Sequence, residues 1–176
     1  IEKMKISGAY KIILNKYEDS RGSFTKNFNS KIFKEYSLNY EWPESYYSIS
    51  KKNVIRGMHF QEKPADQYKL VSCMRGHVLD VMIDLRKNSN MYKKYITLNI
   101  SSKKPELIYL PPGVAHGFMA IEDNSLTYYK ASSIYSPKHD KGIHWDSIGF
   151  DWPTDNPITS ERDSHFISLD DYIGDF

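Results

Sequence analysis

Arg56-Gly57-Met58-His59-Phe60-Gln61, then Glu62 to Asp66, then Gln67-Tyr68-Lys69-Leu70-Val71, is the stretch on which the reading of this chain turns. A histidine and an arginine lie either side of a glycine step. A short polar connector with Pro64 follows, and a lysine then opens an apolar run. Alternation in Ile55-Gly57-His59 and in Lys69-Val71-Cys73 predicts two strands, with Glu62 to Asp66 as the turn between them. Strands paired across that turn would aim His59 and Lys69 into one concave space. A histidine can move a proton near neutral pH, and a lysine can hold a developing negative charge. The same pattern also fits a plain hairpin with a solvated lysine and a core histidine bonded to backbone.

Working outward, short apolar or alternating runs recur between turn residues. Tyr10 to Leu14 reads as a strand, Asp19 to Gly22 as a turn, and Phe24 enters a second strand. Asn29 to Tyr36 is the best helix segment, with Ser30 as its cap and Ile32, Phe33 and Tyr36 at helical spacing. Trp42-Pro43 forbids its continuation. Tyr46 to Ser50 alternates as a strand. In His77 to Leu85, Leu79, Val81, Ile83 and Leu85 share one face, while Asp80 and Asp84 share the other with Val78 and Met82. Tyr95 to Ile100 is another strand. Leu107 to Leu110 runs into Pro111-Pro112-Gly113, a tight bend just before His116. Leu126 to Ala131 is a tyrosine-rich strand, and the chain then turns irregular towards a weak terminal helix or tail. Many short strands with Gly and Pro turns predict an all-β antiparallel sandwich or barrel with a few short helices. No repeat or linker divides residues 1–176, so one domain is expected, with a pocket at an open barrel mouth.

Composition narrows the function class. With 40% hydrophobic and 26% charged residues, the balance is that of a globular domain with a sizeable core. A net charge of +2, with lysines scattered among acids, gives no reason to expect a nucleic-acid partner. The single cysteine, Cys73, admits no intrachain disulfide and reads as a small buried residue. No run of about 18 apolar residues suits a membrane span. Ile1 to Ser20 lacks a signal-peptide pattern, so a soluble, cytoplasmic setting is expected. The start at Ile1 rather than Met suggests that further residues precede it.

Metal-binding barrels use a His-x-His pair with a carboxylate. Here the second ligand position after His59 is Gln61, so no catalytic metal is expected. His77, His139, His144 and His165 read as surface histidines. Cys73 has no local group to activate it as a nucleophile, and neither a phosphate-cradling glycine loop nor a dinucleotide fingerprint occurs. Proton chemistry without metal or cofactor fits better. It needs a histidine base held by a carboxylate, a cation beside an enolate oxygen and a proton donor on the opposite face. His59, Asp163, Lys69 and Tyr129 can fill those roles, although their spacing does not prove it.

Taken in order, Asp19-Ser20-Arg21-Gly22-Ser23-Phe24, Ser48-Ile49-Ser50, Arg56 to Gln61, Gln67 to Val71, Asp80 to Arg86, Pro111 to Phe118, Tyr129-Lys130, Trp152-Pro153 and Ser160-Glu161-Arg162-Asp163 resemble the dTDP-4-dehydrorhamnose 3,5-epimerase family. The Arg-Gly-x-His-Phe-Gln and Pro-x-Gly-x-Ala-His-Gly-Phe elements are the specific pair. The resemblance implies a cupin-type double-sheet barrel (a jelly roll) that needs no metal or cofactor and forms a homodimer sharing strands. Its implied substrate is a nucleotide-activated 4-keto-6-deoxy sugar, whose C4 ketone acidifies the protons on C3 and C5. His59 would remove such a proton, with Asp163 as its dyad partner. Lys69 would stabilise the enolate, and Tyr129 would return a proton from the other side of the ring. Arg21 and Arg56 would hold the diphosphate, Phe24 and Tyr135 would be aromatic walls, and His116 would line the pocket. Glu44, Tyr46, Ser48 and Gln61 would complete the substrate-binding set. Strict alternation, however, places Arg56 and His59 on opposite faces of their strand. Either the strand twists there or one of the two leaves the pocket.

The chain departs from the family where the thymine is usually read. Phe24-Thr25-Lys26 stands where Phe-x-Glu is usual, and Glu44-Ser45-Tyr46 stands where Gln-x-Asn is usual. These changes alter the hydrogen bonds offered to a base. Related epimerases act on GDP-linked 4-keto heptoses in surface-polysaccharide pathways, and Glu44 could accept from a guanine edge. Both GDP and dTDP sugars therefore enter as expected substrates. A 3,4-ketoisomerase of the same barrel class and a non-catalytic sugar-binding cupin are the rival readings.

Overall fold

A computed structural model describes all of residues 1–176. The chain folds into two facing antiparallel sheets. The strands in order are β1 (Glu2–Lys3), β2 (Tyr10–Ile13), β3 (Lys16–Asp19), β4 (Gly22–Thr25), β5 (Glu44–Ser50), β6 (Ile55–Gln61), β7 (Lys69–Arg75), β8 (His77–Asp84), β9 (Tyr95–Ser101), β10 (Glu106–Leu110), β11 (Val114–Ala120), β12 (Ser125–Ala131) and β13 (Asp140–Gly142). One sheet runs β1-β2-β10-β7-β12-β5 and the other β13-β6-β11-β8-β9. Their strand orders cross between sheets as a jelly roll requires. The double-sheet barrel expected from the sequence is the fold observed.

Inward-facing residues of both sheets fill the barrel: Val71, Cys73, Ile108 and Leu110 meet Val78, Met82 and Phe118, with Tyr129 at the upper end. On β12 the expected alternation holds: Ser125, Thr127, Tyr129 and Ala131 are buried, and Leu126, Tyr128 and Lys130 between them are only partly so. β8, β10 and β11 are buried throughout, save the partly buried His77, because their outer faces are covered too. Val81, Ile83, Ala115 and Met119 pack under Ile143, Ile148, Trp152, Leu169 and Tyr172 of the C-terminal segment. Leu70, Leu107 and Tyr109 pack under Phe33 and Leu38 at helix α1 (Ser30–Glu35). The irregular stretch after Tyr135 is thus a core-covering flap. Its aromatic residues, which made no periodic pattern in the sequence, are apolar contacts for a sheet.

Two local expectations are corrected. Helix α1 is capped by Asn29, whose side chain accepts from the Lys31 and Ile32 amides, so the cap lies one residue before Ser30. β6 and β7 do not pair as a hairpin: β6 lies between β13 and β11, and β7 lies between β10 and β12. The connector, residues 62–68, crosses from one sheet to the other, as two-sheet closure demands. The β3–β4 hairpin forms a separate two-stranded sheet, and every residue in it is exposed except the partly buried Thr25.

Candidate active site

The five-stranded sheet supplies one wall of the site. His59 on β6 lies directly opposite His116 on β11, and Arg56 lies opposite Phe118. Three residues of β6 thus span the distance that two span on β11, which is a β-bulge at Gly57-Met58. The extra residue restores Arg56 and His59 to one face, and both line the same cavity. This resolves the alternation problem in favour of a local irregularity.

The bulge depends on glycine. Gly57 has φ +131°, and a Cβ there would stand 2.5 Å from the Gly117 Cα. Its amide donates to Asp163 Oδ2 at 3.0 Å, and Asp163 Oδ1 meets His59 Nε2 at 2.9 Å. One backbone irregularity therefore brings Arg56 round, fixes Asp163 and orients the histidine. Gly57→Ala is expected to cost about 3 kcal/mol of stability or more, since it combines a disfavoured φ with a backbone clash. Urea unfolding monitored by tryptophan fluorescence checks this; an unchanged midpoint would refute the steric argument.

Asp163 sits in helix α2 (Glu161–Ser164), capped by Ser160, and is 3% exposed. Burial alone would raise its carboxyl. The His59 hydrogen bond and charge, together with the Gly57 amide, outweigh that and bring it to about 2. The His59 ring is pushed below its usual value by burial, assisted by Lys69 and Arg162, against the opposing pull of Asp163. At neutral pH the pair is an ionised carboxylate holding a neutral imidazole, ready to accept a proton.

The six-stranded sheet supplies the opposite wall. Lys69, at the start of β7, is buried and donates from Nζ to the His59 carbonyl oxygen at 3.0 Å. The expected convergence of His59 and Lys69 therefore occurs, but across the barrel. Burial lowers the Lys69 ammonium to about 8. Tyr129 on β12 is 7% exposed, stacked on Tyr46 of β5 (4.8 Å between ring centres, 18° between planes), with the His116 ring set edge-on at 6.1 Å. Burial raises its phenol, so it is protonated at neutral pH.

Between the walls lies a cavity of about 390 Å³, within the range of small-ligand sites. Glu44, Tyr46, Ser48, Gln61, His116 and Tyr135 line it together with Arg56, His59, Lys69 and Tyr129. Arg56 is steadied by Ser50 Oγ at 3.0 Å and the Ile49 carbonyl at 3.4 Å. Glu44 accepts from the Tyr135 amide at 2.7 Å. Gln61, 4% exposed, donates to the Ala65 carbonyl at 2.9 Å and accepts from the Ser136 amide at 2.6 Å. It ties two loops of the rim together while lining the cavity. His116 pairs with Asp80, so the two histidines each have their own carboxylate. No three His, Cys, Asp or Glu residues converge as a metal site.

Two expected site residues lie elsewhere. Arg21 has a side chain 88% exposed and ion-paired to Asp19, and Phe24 is 62% exposed. Both belong to the projecting β3–β4 hairpin, away from the cavity of their own chain. Two charged residues of the cavity lie outside the expected set. Asp140 on β13 and Arg162 on α2 both line the cavity and are joined at 2.6 Å, and Tyr135 donates to the same Asp140 oxygen at 3.3 Å. Arg162 had a signal, standing next to Asp163 in the Ser160–Asp163 motif. Asp140 had none, because β13 is three residues in an irregular region.

One wall of the barrel carries a histidine held by a carboxylate and the facing wall a protonated tyrosine, an arrangement able to move protons on opposite sides of a molecule held between them. Comparison with known proteins places the chain in a family. The model of the dTDP-4-dehydrorhamnose 3,5-epimerase family matches residues 3–171. The epimerase of that name from Methanothermobacter thermautotrophicus is 41% identical, with 95% of this chain and 92% of that protein covered. The Bacillus anthracis enzyme, solved with TDP and PPi bound, superposes with a TM-score of 0.91 at 31% identity, covering 96% and 97% of the two chains. The Legionella pneumophila enzyme, solved with dTDP-4-keto-L-rhamnose, gives 0.91 at 28% identity, covering 96% and 92%. This chain belongs to the dTDP-4-dehydrorhamnose 3,5-epimerase family. It is an isomerase with the family's cupin-type barrel. No helix is long and apolar enough to cross a membrane.

Proposed function

We propose that the protein inverts C3 and C5 of a dTDP-linked 4-keto-6-deoxy sugar by deprotonation and reprotonation through an enolate. The observation that carries this is the opposition of His59 and Tyr129 on facing sheets across one cavity. Inversion needs a base on one face of the ring and an acid on the other. His59, neutral and oriented by Asp163, takes the proton beside the C4 ketone. The Lys69 ammonium balances the charge that develops on the enolate oxygen, in a cavity where such a charge is poorly solvated. Tyr129 then protonates the carbon from the far side. Arg56 holds the diphosphate with the part of its guanidinium not committed to Ser50 and Ile49.

The exposed β3–β4 hairpin fits a homodimer in which Arg21 and Phe24 serve the cavity of a second copy. This gives work to two residues that have none in their own chain. The bound nucleotides of the relatives favour dTDP over GDP. The test is proton exchange in deuterated buffer with dTDP-4-keto-6-deoxyglucose and, separately, a GDP-linked 4-keto heptose. Deuterium entering C3 and C5 of the first with inversion is expected; preference for the second would overturn the nucleotide assignment, and exchange with neither would overturn the epimerase itself.

The two titrating groups set a pH window. The rate needs neutral His59 and charged Lys69. His59 lies below its usual 6.5, so the acid limb of kcat/KM falls below pH 6.5; Lys69 near 8 places the alkaline limb there. A Lys69→Arg variant keeps its charge across this range, so its residual activity should lose the alkaline limb. A limb that stays near pH 8 would assign it to another group.

A further inference from the structure

Beneath the Tyr129 phenol the barrel interior is polar where an apolar core would be expected. Thr127 lies two residues before Tyr129 on the same inward face of β12, and Ser48 is its direct neighbour on β5, as Tyr46 is of Tyr129. Asp80 faces the same interior from β8 and is paired through one oxygen with His116. Three oxygens in this group are buried without any hydrogen-bond partner: Ser48 Oγ, Thr127 Oγ1 and Asp80 Oδ2. Thr127 and Asp80 are each 0% exposed. A fully buried carboxylate oxygen and two hydroxyls are costly to leave unpaired, so such groups are normally satisfied by internal water or by one another. The Asp80 charge acts on the Tyr129 phenol, and the Ser48 hydroxyl stands beside it without reaching hydrogen-bond geometry.

The two ends of the proposed proton transfer are unequally supplied. The His59 side chain is 28% exposed and can return its proton to solvent. Tyr129 is shut between Tyr46, His116 and the barrel floor, and a bound sugar closes its one open side. After one inversion it is a phenolate facing an occupied cavity. A second inversion in the same binding event needs a proton from behind.

We propose that Thr127 and Ser48 form a proton relay from the His116–Asp80 pair to Tyr129, reloading the acid while the sugar stays bound. This rests on the epimerase reading above. The proton shared by His116 Nε2 and Asp80 Oδ1 passes through the hydroxyls and their water to the phenolate oxygen, leaving His116 a neutral imidazole with its proton on Nδ1 beside the Asp80 carboxylate, and His59 releases its own to the outer solvent. Each hydroxyl gains one proton and gives one up, so only the pair is left one proton short. It recovers that proton from solvent when the product leaves and His116 is again open to the cavity. One stored proton supports one extra inversion, which matches two acidic centres on one sugar.

Thr127→Val removes the hydroxyl with little change in shape. In deuterated buffer with dTDP-4-keto-6-deoxyglucose, the first sugar released by the parent protein should be inverted and deuterated at both centres. The valine variant should shift the ratio of singly to doubly inverted sugar, read by mass spectrometry and NMR at early times, by about tenfold toward the single product. Thr127→Ser, which restores the hydroxyl, should return the parent ratio. An unchanged ratio in Thr127→Val would overturn the relay. So would a serine variant that behaves like valine, because packing would then be the cause. If the parent protein inverts only one centre, the relay falls while the epimerase reading stands. If the parent exchanges no proton at all, both fall.

Discussion

A His59→Asn variant is expected to bind the nucleotide sugar nearly as well as the parent and to lose proton exchange at C3 and C5 by about a thousandfold or more, the scale of a lost general base. That corresponds to roughly 4 kcal/mol of transition-state stabilisation. Asparagine is the informative replacement because its amide can still donate towards Asp163, a buried carboxylate whose other donors are the Gly57 amide at 3.0 Å and Arg162 Nε at 3.5 Å. Its amide cannot accept a proton at any accessible pH. Asp163 stays anchored by the bulge at Gly57, and Arg56 stays anchored by Ser50, so the pocket keeps its shape. NMR of the substrate protons in deuterated buffer, with affinity measured by calorimetry, separates the two effects. Exchange persisting near the parent rate would remove His59 from the role of base and turn attention to His116, the other histidine in the cavity.

What the sequence could and could not convey follows from the range of each signal. Strand periodicity is local, so the tyrosine-rich β12 and the two-faced β8 were legible residue by residue. The placement of His59 opposite Lys69 was also legible in outcome, but the route was misread. A short connector such as residues 62–68 is as compatible with a sheet-to-sheet crossover as with a hairpin, and only the closure of the whole barrel decides between them. The bulge at Gly57 illustrates a different limit. A glycine between Arg56 and Met58 says that the backbone can deviate, but the need for it arises from Gly117, some 60 residues away in the chain, where the two backbones nearly touch. Arg21 and Phe24 mark the third limit. Their motif is local and specific, yet the cavity they were expected to serve is not on their own side of the fold. Asp140 shows the converse: it enters the site solely because three residues of β13 happen to border β6.

Tyr129→Phe is expected to uncouple exchange from inversion, which loss of the base cannot do. With the phenol gone, His59 can still deprotonate the carbon and, being partly exposed, can trade its proton for solvent deuterium before returning it to the same face. Deuterium should therefore enter the substrate with retained configuration, at a rate within about tenfold of the parent, while inversion falls by a factor of about a thousand. The substitution leaves the site otherwise intact. Phenylalanine preserves the stack on Tyr46 and the edge contact with His116. A change in thermal stability should accordingly be small. The same variant discriminates the mechanism from a ketoisomerase, in which no donor on the opposite face is required and product formation would survive. Loss of exchange and inversion together would mean instead that Tyr129 acts before the enolate forms, and the assignment of base and acid to opposite sheets would have to be abandoned.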